Sequence, residues 1–144
     1  MLFRLCVLAP FFLPGLAIQP VVEEALQEYN NAFRAKDVAA IRNLLAEDVL
    51  LYEHSVKNDG IEDVYGHHLK PEIEAFEGLQ LDFSDVRITQ ADDMALVTRD
   101  YKVKGKLGER MIDAKGNETM VWRQINGNWK IIHIHYSHPC PRSP

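Results

Sequence analysis

The strongest constraint on this chain lies near its C-terminus, where two β-rich runs, residues 119–125 and 129–137, meet at Asn126-Gly127. Asn-Gly is the dipeptide that best accommodates the positive φ angles of a tight hairpin, so the two runs are expected to pair as antiparallel neighbours. The second run reads Trp129-Lys130-Ile131-Ile132-His133-Ile134-His135-Tyr136-Ser137. Strand alternation places His133 and His135 on one side and Ile132, Ile134 and Tyr136 on the other.

The preceding chain divides into a helical and a β-rich half. Residues 19–46 carry Val22, Ala25, Leu26, Tyr29, Ala32 and Phe33 at helical spacing, pause at Lys36-Asp37, and resume with Val38, Ile41, Leu44 and Leu45. That pattern predicts two helices, or one bent one, with an apolar face, and Asp37 is placed to cap the second. Residues 48–54 read as a buried strand, and residues 55–60 as a polar loop rich in turn formers. A helix or helix pair is expected over residues 61–76, interrupted by Gly66 and by Pro71, which is comfortable only near a helix start. Residues 81–89, 94–103, 109 or 110 to 125, and 129–136 follow as four strands, with residues 113–117 as a turn or bulge within the third. Helices first and an antiparallel meander afterwards make an α+β fold, the helices covering one sheet face. At 144 residues, 47% of them hydrophobic, the chain has the material for a single core and one domain.

A formal net charge of −5, with no basic run, excludes a nucleic-acid backbone as partner. The N-terminus differs in kind: Arg4 precedes an apolar stretch over residues 5–18, and Gly15-Leu16-Ala17 supplies the small residues of a signal-peptide cleavage site. Residues 1–17 are therefore expected to be a signal peptide, leaving a domain of residues 18–144 that begins at Ile18 and is secreted or periplasmic. A buried N-terminal helix is the other reading of the same stretch. Pro10 and Pro14 interrupt it, and it falls short of the ~20 apolar residues of a membrane span, so no membrane anchoring is expected. Cleavage would remove Cys6 and leave Cys140 alone, without an internal disulfide. Cys6 also lies too early in the run to be a lipid-bearing cysteine.

A hairpin ending in Trp-Lys-Ile-Ile-His-Ile-His-Tyr-Ser closes the sheet of one well-populated superfamily. Over residues 21–139 the chain resembles SnoaL-like members of the nuclear transport factor 2-like cone fold, with the association domain of calcium/calmodulin-dependent kinase II as a familiar relative. The resemblance implies N-terminal helices packed on a curved, mostly antiparallel sheet, a homodimer formed through the outer sheet face, and a cone pocket for a small organic molecule. Such folds host unrelated functions, so the activity stays open. Ketosteroid isomerase shares the cone, and its oxyanion-donating tyrosine and proton-shuttling carboxylate match Tyr29 and Glu53 here. Desolvation in an apolar cone makes a carboxylate a stronger base. The acid that completes that oxyanion site falls on Val121 or Met120, neither of which donates a proton. In the kinase domain the same glutamate lines the pocket with three arginines, which align with Asp100, Met120 and Tyr136. The resemblance thus implies a neutral or acidic pocket looked into by Glu53, Asp100, Met120 and Tyr136. Separately, His67 and His68 point about 100° apart on the helical stretch over residues 61–76, and one of them, with His68 as the candidate, is expected to roof the pocket near Glu53.

Histidine supplies the remaining signal. His133 and His135 share a strand face and, with His54 or His68 as a further ligand, could hold zinc or copper through imidazole nitrogen. His138 and Cys140 would add a softer set. Hydrogen-bonded histidines at a dimer interface are the reading favoured over metal, so no cofactor is expected. Ligand binding, acid–base catalysis as an isomerase or dehydratase, metal binding and pure assembly are the four functions consistent with this sequence.

Overall fold

Apolar residues at helical spacing build the first two elements. In the computed structural model of the chain, which describes residues 21–139, α1 (Val22–Ala35) buries Val22, Leu26, Tyr29 and Ala32 along one face. It stops at Lys36, whose left-handed conformation (φ 56°) turns its N–H back to the carbonyls of Ala32 and Phe33. Asp37 caps α2 (Val38–Leu44) as expected, its Oδ1 accepting from the Ala40 N–H at 3.0 Å. The expected signal segment, Cys6 and Cys140 lie outside the described residues.

β1 (Leu45–Glu53) runs straight out of α2, and His54, at φ 54°, reverses the chain into β2 (Val56–Asp59). The turn formers of this segment predict an irregular loop. Pairing of Leu50 with Asp59 and Tyr52 with Lys57 instead makes it a short, polar edge strand, a form that discourages further pairing. The helical stretch after Gly60 opens with π-type turns over Glu62–Leu69, where the Lys70 N–H reaches back to the Tyr65 carbonyl. It ends as α3 (Lys70–Ala75), with Pro71 in the first turn.

The rest is sheet: β3 (Phe76–Ala91), β4 (Met94–Leu107), β5 (Arg110–Ile125) and β6 (Asn128–Ser137). The six strands lie in the order β2-β1-β6-β5-β4-β3, with β1 and β6 parallel and every other pair antiparallel. Asn126 (φ 53°) and Gly127 (φ 78°) form the hairpin turn their dipeptide predicts. Residues 113–117 do not interrupt β5; they run in register with β4 from Asp113 opposite Lys104 to Asn117 opposite Asp100. Gly116 serves close approach rather than a turn, since a Cβ there would land on the Ser137 carbonyl and against the Tyr101 hydroxyl.

Irregularities in β1, β3 and between β5 and β6 curve the sheet. The one at Val121 and Trp122 also shifts the phase of β6, because His133 pairs with Val121 and Ile131 with Trp122. Ile132 is the extra residue and is only partly buried, whereas Ile131 and Ile134 are buried. The expected inward place of Ile132 is therefore taken by Ile131. The result is an α+β cone, N-terminal helices packed on a curved, largely antiparallel sheet. Tyr29 stands edge-on to Trp122 at 6.2 Å in the core between the two layers. Among the described residues no helix is long and apolar enough to cross a membrane.

Gly116→Ala forces a methyl group into backbone with no room to yield. It is expected to lower stability by about 1–3 kcal/mol, the usual cost of overpacking. Urea unfolding monitored by tryptophan fluorescence reads this directly, and an unchanged midpoint would show that Ser137 moves aside freely.

Candidate functional site

The site is one cross-strand row on the concave face. Glu53 of β1 lies opposite Tyr136 of β6, Tyr136 opposite Glu118 of β5, and Glu118 opposite Arg99 of β4. Directly opposed residues share a sheet face, so these four side chains point the same way. Over them lies a cavity of about 700 Å³ whose apolar wall includes Phe33, Leu81, Phe83, Val103 and Ile112.

Among the described residues Arg99 is the most deeply placed charge, its side chain 1% exposed. Its Nε donates to Glu118 Oε2, and its Nη1 donates to Asn30 Oδ1 on α1 at 2.6 Å. The Phe83 ring covers the guanidinium at 3.4 Å. Nη2 is buried without a hydrogen-bond partner, and the ring's π face supplies part of what an acceptor would. The cation is thus neutralised by Glu118 and roofed by an aromatic ring.

His68, on the π-type helix, organises the other end of the row. Its Nε2 lies 2.7 Å from the Tyr136 hydroxyl, 3.4 Å from Glu53 Oε2 and 3.6 Å from Glu72 Oε2. Burial, reinforced by Glu72 and Glu53, holds the Tyr136 phenol well above its ordinary pKa. Tyr101 is pushed up to about 12, by burial first and then by Glu118. Burial also raises Tyr29, and Glu118 adds to it. The Glu72 carboxyl is raised by burial and by the neighbouring Glu53. All three phenols therefore keep their protons near neutrality and act as donors into a mostly apolar space.

A family profile describing the SnoaL-like domain matches residues 22–141. The chain belongs to the SnoaL-like domain family. Solved structures agree on the architecture. A protein from Shewanella frigidimarina, provisionally assigned as a ketosteroid isomerase, is 27% identical with a TM-score of 0.70, over 79% of this chain and 92% of that one. A provisionally assigned dehydratase of the nuclear transport factor 2-like family from Streptomyces avermitilis is 20% identical with a TM-score of 0.73, over 83% and 94%. A nuclear transport factor 2-like protein from Cytophaga hutchinsonii is 21% identical with a TM-score of 0.69, over 82% and 95%. No curated protein matches the chain.

Of the residues singled out from sequence in this SnoaL-like domain, Tyr29, Glu53 and Tyr136 line the cavity. His68 stands behind its wall, bonded to Tyr136. Asp100 does not look into the cone: it is exposed, accepting from Asn117 Nδ2 at 2.6 Å. The inward phase of β4 is set by buried Ala95 and Val97, which puts Arg99 and Tyr101 inside and Asp100 outside. Met120 does face inward, but it is fully buried in the core and does not line the cavity. His133 and His135 lie on the outer face around Tyr52, at ring distances of 5.7 and 6.3 Å. They are not brought to His54, whose neighbours are Glu53 and His138. Arg99, Glu118, Asn30 and Tyr101 were missed by sequence reasoning. Counting in twos from Ala95 and Val97 would have found Arg99 and Tyr101; nothing local points to Asn30.

Removing Arg99 alone strands a buried carboxylate. Arg99→Met is expected to cost about 3–5 kcal/mol, whereas Arg99→Met with Glu118→Gln recovers most of that loss. Urea denaturation of the two variants and wild type measures it, and equal losses in single and double variants would contradict the pairing.

Proposed function

We propose that this SnoaL-like domain binds a small, largely apolar organic molecule in its cone cavity. The observation that carries this reading is the cavity of about 700 Å³, apolar in its walls, with Glu53, Tyr101 and Tyr136 converging on it. A concave apolar space with a few directed polar groups is the general form of a small-molecule site. Glu53 and Tyr136, backed by His68, would supply the directional contacts. Arg4, the apolar run and Gly15-Leu16-Ala17 support export, to a secreted or periplasmic location, of the domain that begins at Ile18.

A second reading, acid–base catalysis of the isomerase or dehydratase kind, is favoured by the connected set Glu53, His68 and Tyr136, of which Glu53 and Tyr136 line the cavity. Glu53 would move the proton and Tyr29, whose hydroxyl stays protonated, would donate to developing negative charge. The provisional assignments of the Shewanella and Streptomyces proteins are of this kind.

Self-association is the third component. Leu96, Val121, His133 and Leu50 form one row on the outer face, and Thr98, Thr119, His135 and Tyr52 the next. Leu96 is 43% and Tyr52 36% exposed, an apolar and aromatic surface suited to a second copy of the chain. A homodimer through this face, and a closer kinship with the kinase association-domain group, belong to this proposal.

The neutral fluorophore N-phenyl-1-naphthylamine tests the cavity. Wild type is expected to take it up, and Val103→Trp, which fills the space, to weaken uptake by about tenfold or more. No uptake by wild type, or equal uptake by the folded variant, sinks the binding reading. Glu53→Gln separates binding from catalysis: with a Δ5-3-ketosteroid as substrate probe, it should abolish isomerisation and leave fluorophore uptake intact. A wild type that takes up the fluorophore without isomerising the steroid removes the ketosteroid form of the second reading.

Dimerisation carries a pH dependence. Burial, and then His135, hold the His133 pKa below its ordinary value, and covering the face would disfavour the charged form further. The neutral form is the one compatible with an interface, so the dimer should be firm above the histidine range and weaken as pH falls through it. Sedimentation velocity across that range measures this; a pH-independent assembly would place His133 outside the interface.

A further inference from the structure

We propose that Glu53, His54 and His138 form a binding site for a divalent transition-metal ion of the zinc class at the mouth of the cone. The three residues offer one ligand atom each, all within 4.8 Å of one another. Successive residues of a regular strand face opposite sides. His54 escapes that rule through its left-handed backbone at the end of β1, which brings its ring beside the carboxylate that precedes it. The His138 ring, just past β6, meets it at 4.4 Å in a T-shaped arrangement.

Hydrogen bonding prepares both rings as ligands. His54 Nε2 lies 3.1 Å from the His138 carbonyl oxygen, and His138 Nδ1 lies 3.3 Å from the Pro139 carbonyl oxygen. A carbonyl only accepts, so these nitrogens carry the protons, and the lone pairs fall on His54 Nδ1 and His138 Nε2. Metal-bound histidines are oriented in this way, by donating the other ring N–H to a carbonyl or carboxylate. His54 Nδ1 then faces Glu53 Oε1 at 4.0 Å. Two acceptors face one another there, an arrangement that a shared cation stabilises. The second carboxylate oxygen, Oε2, is held 3.4 Å from His68 Nε2, which also contacts the Tyr136 hydroxyl. This outer contact orients Glu53 as a ligand.

Two imidazoles and one carboxylate suit zinc or iron(II) with coordination positions left open. Metal–ligand bonds of about 2.0–2.2 Å bring ligand atoms to roughly 3.5 Å from one another, so the side chains must close in by about an ångström. Side-chain exposures of 30% for His54 and 26% for Glu53 leave room for that rotation. Glu53 and His138 both line the cavity, so the site adjoins its interior. The site is independent of whether the cavity takes an organic ligand.

Isothermal titration of the metal-stripped protein with zinc chloride tests the assignment, together with visible absorbance of the cobalt(II) form. Wild type is expected to bind one ion per chain and to give the d–d bands of a low-coordinate cobalt site. His54→Asn, which tolerates the left-handed turn, and His138→Ala should each weaken zinc by about 100-fold. His133→Ala and His135→Ala should leave it unchanged, and circular dichroism checks that each variant folds. Absence of zinc uptake by wild type overturns the proposal. Unaltered affinity in His54→Asn and His138→Ala overturns it too, as does loss of binding on changing His133 or His135.

Discussion

β6 is bonded along both edges, parallel to β1 and antiparallel to β5, and the rest of the structure depends on its register. Because strand side chains alternate with a period of two, a one-residue slip would exchange the contents of the two faces. With the observed register, Ile134 and Tyr136 look inward with Leu51 and Glu53, while His133 and His135 look outward with Leu50 and Tyr52. The cavity row and the outer apolar rows are therefore two consequences of one pairing. The bulge opposite Val121 and Trp122 shifts the phase upstream of His133, so that Ile131 rather than Ile132 joins the core.

The concave face is apolar but not free of charge, and its charges are arranged in linked groups. Arg99 is held by Glu118 within the sheet and by Asn30 from α1, so the ion pair also fixes the helix against the strands. Burying such a pair is a poor source of stability, since desolvation offsets the attraction, but leaving either partner alone is costly. At the other end of the row, Glu53, Glu72 and Tyr136 lie within hydrogen-bonding or ion-pairing reach of a common nitrogen, His68 Nε2. Burial first, and then the nearby carboxylates, hold the phenol protons of Tyr101 and Tyr136 in place, which keeps donors on the polar side of the cavity. The same Glu53 reaches toward His54 and His138, so one carboxylate connects the cavity with the proposed metal position.

The elements governed by local chemistry are legible in the residues themselves. Apolar spacing announces α1 and α2, Asp37 its cap, and Asn126-Gly127 the last hairpin, and each is found where the residues place it. The cone is recognisable from the Trp129 to Ser137 run, and Tyr29, Glu53 and Tyr136 line its cavity. Asp100 does not, because its expected place rests on an aligned position rather than on the phase set by Ala95 and Val97. The polar residues 55–60 look like a loop because an edge strand paired on one side needs no apolar pattern. Gly116 looks like a turn because its reason for being glycine, the Ser137 carbonyl, lies on another strand.

By itself, then, the sequence determined most of the elements, which follow from spacing and from contacts short in sequence, while the fold and the inward placement of Tyr29, Glu53 and Tyr136 came through the resemblance carried by the last strand. Only the tertiary structure decided which distant side chains meet. Asn30 reaches Arg99 across 69 positions and His68 reaches Tyr136 across 68. The partners of His54 are Glu53 and His138 rather than His133 and His135, because a single positive φ angle turns its ring away from strand alternation. Such meetings depend on sheet register, bulges and the angle at which a helix crosses a strand. No local pattern encodes those, because each is set by packing summed over the whole chain.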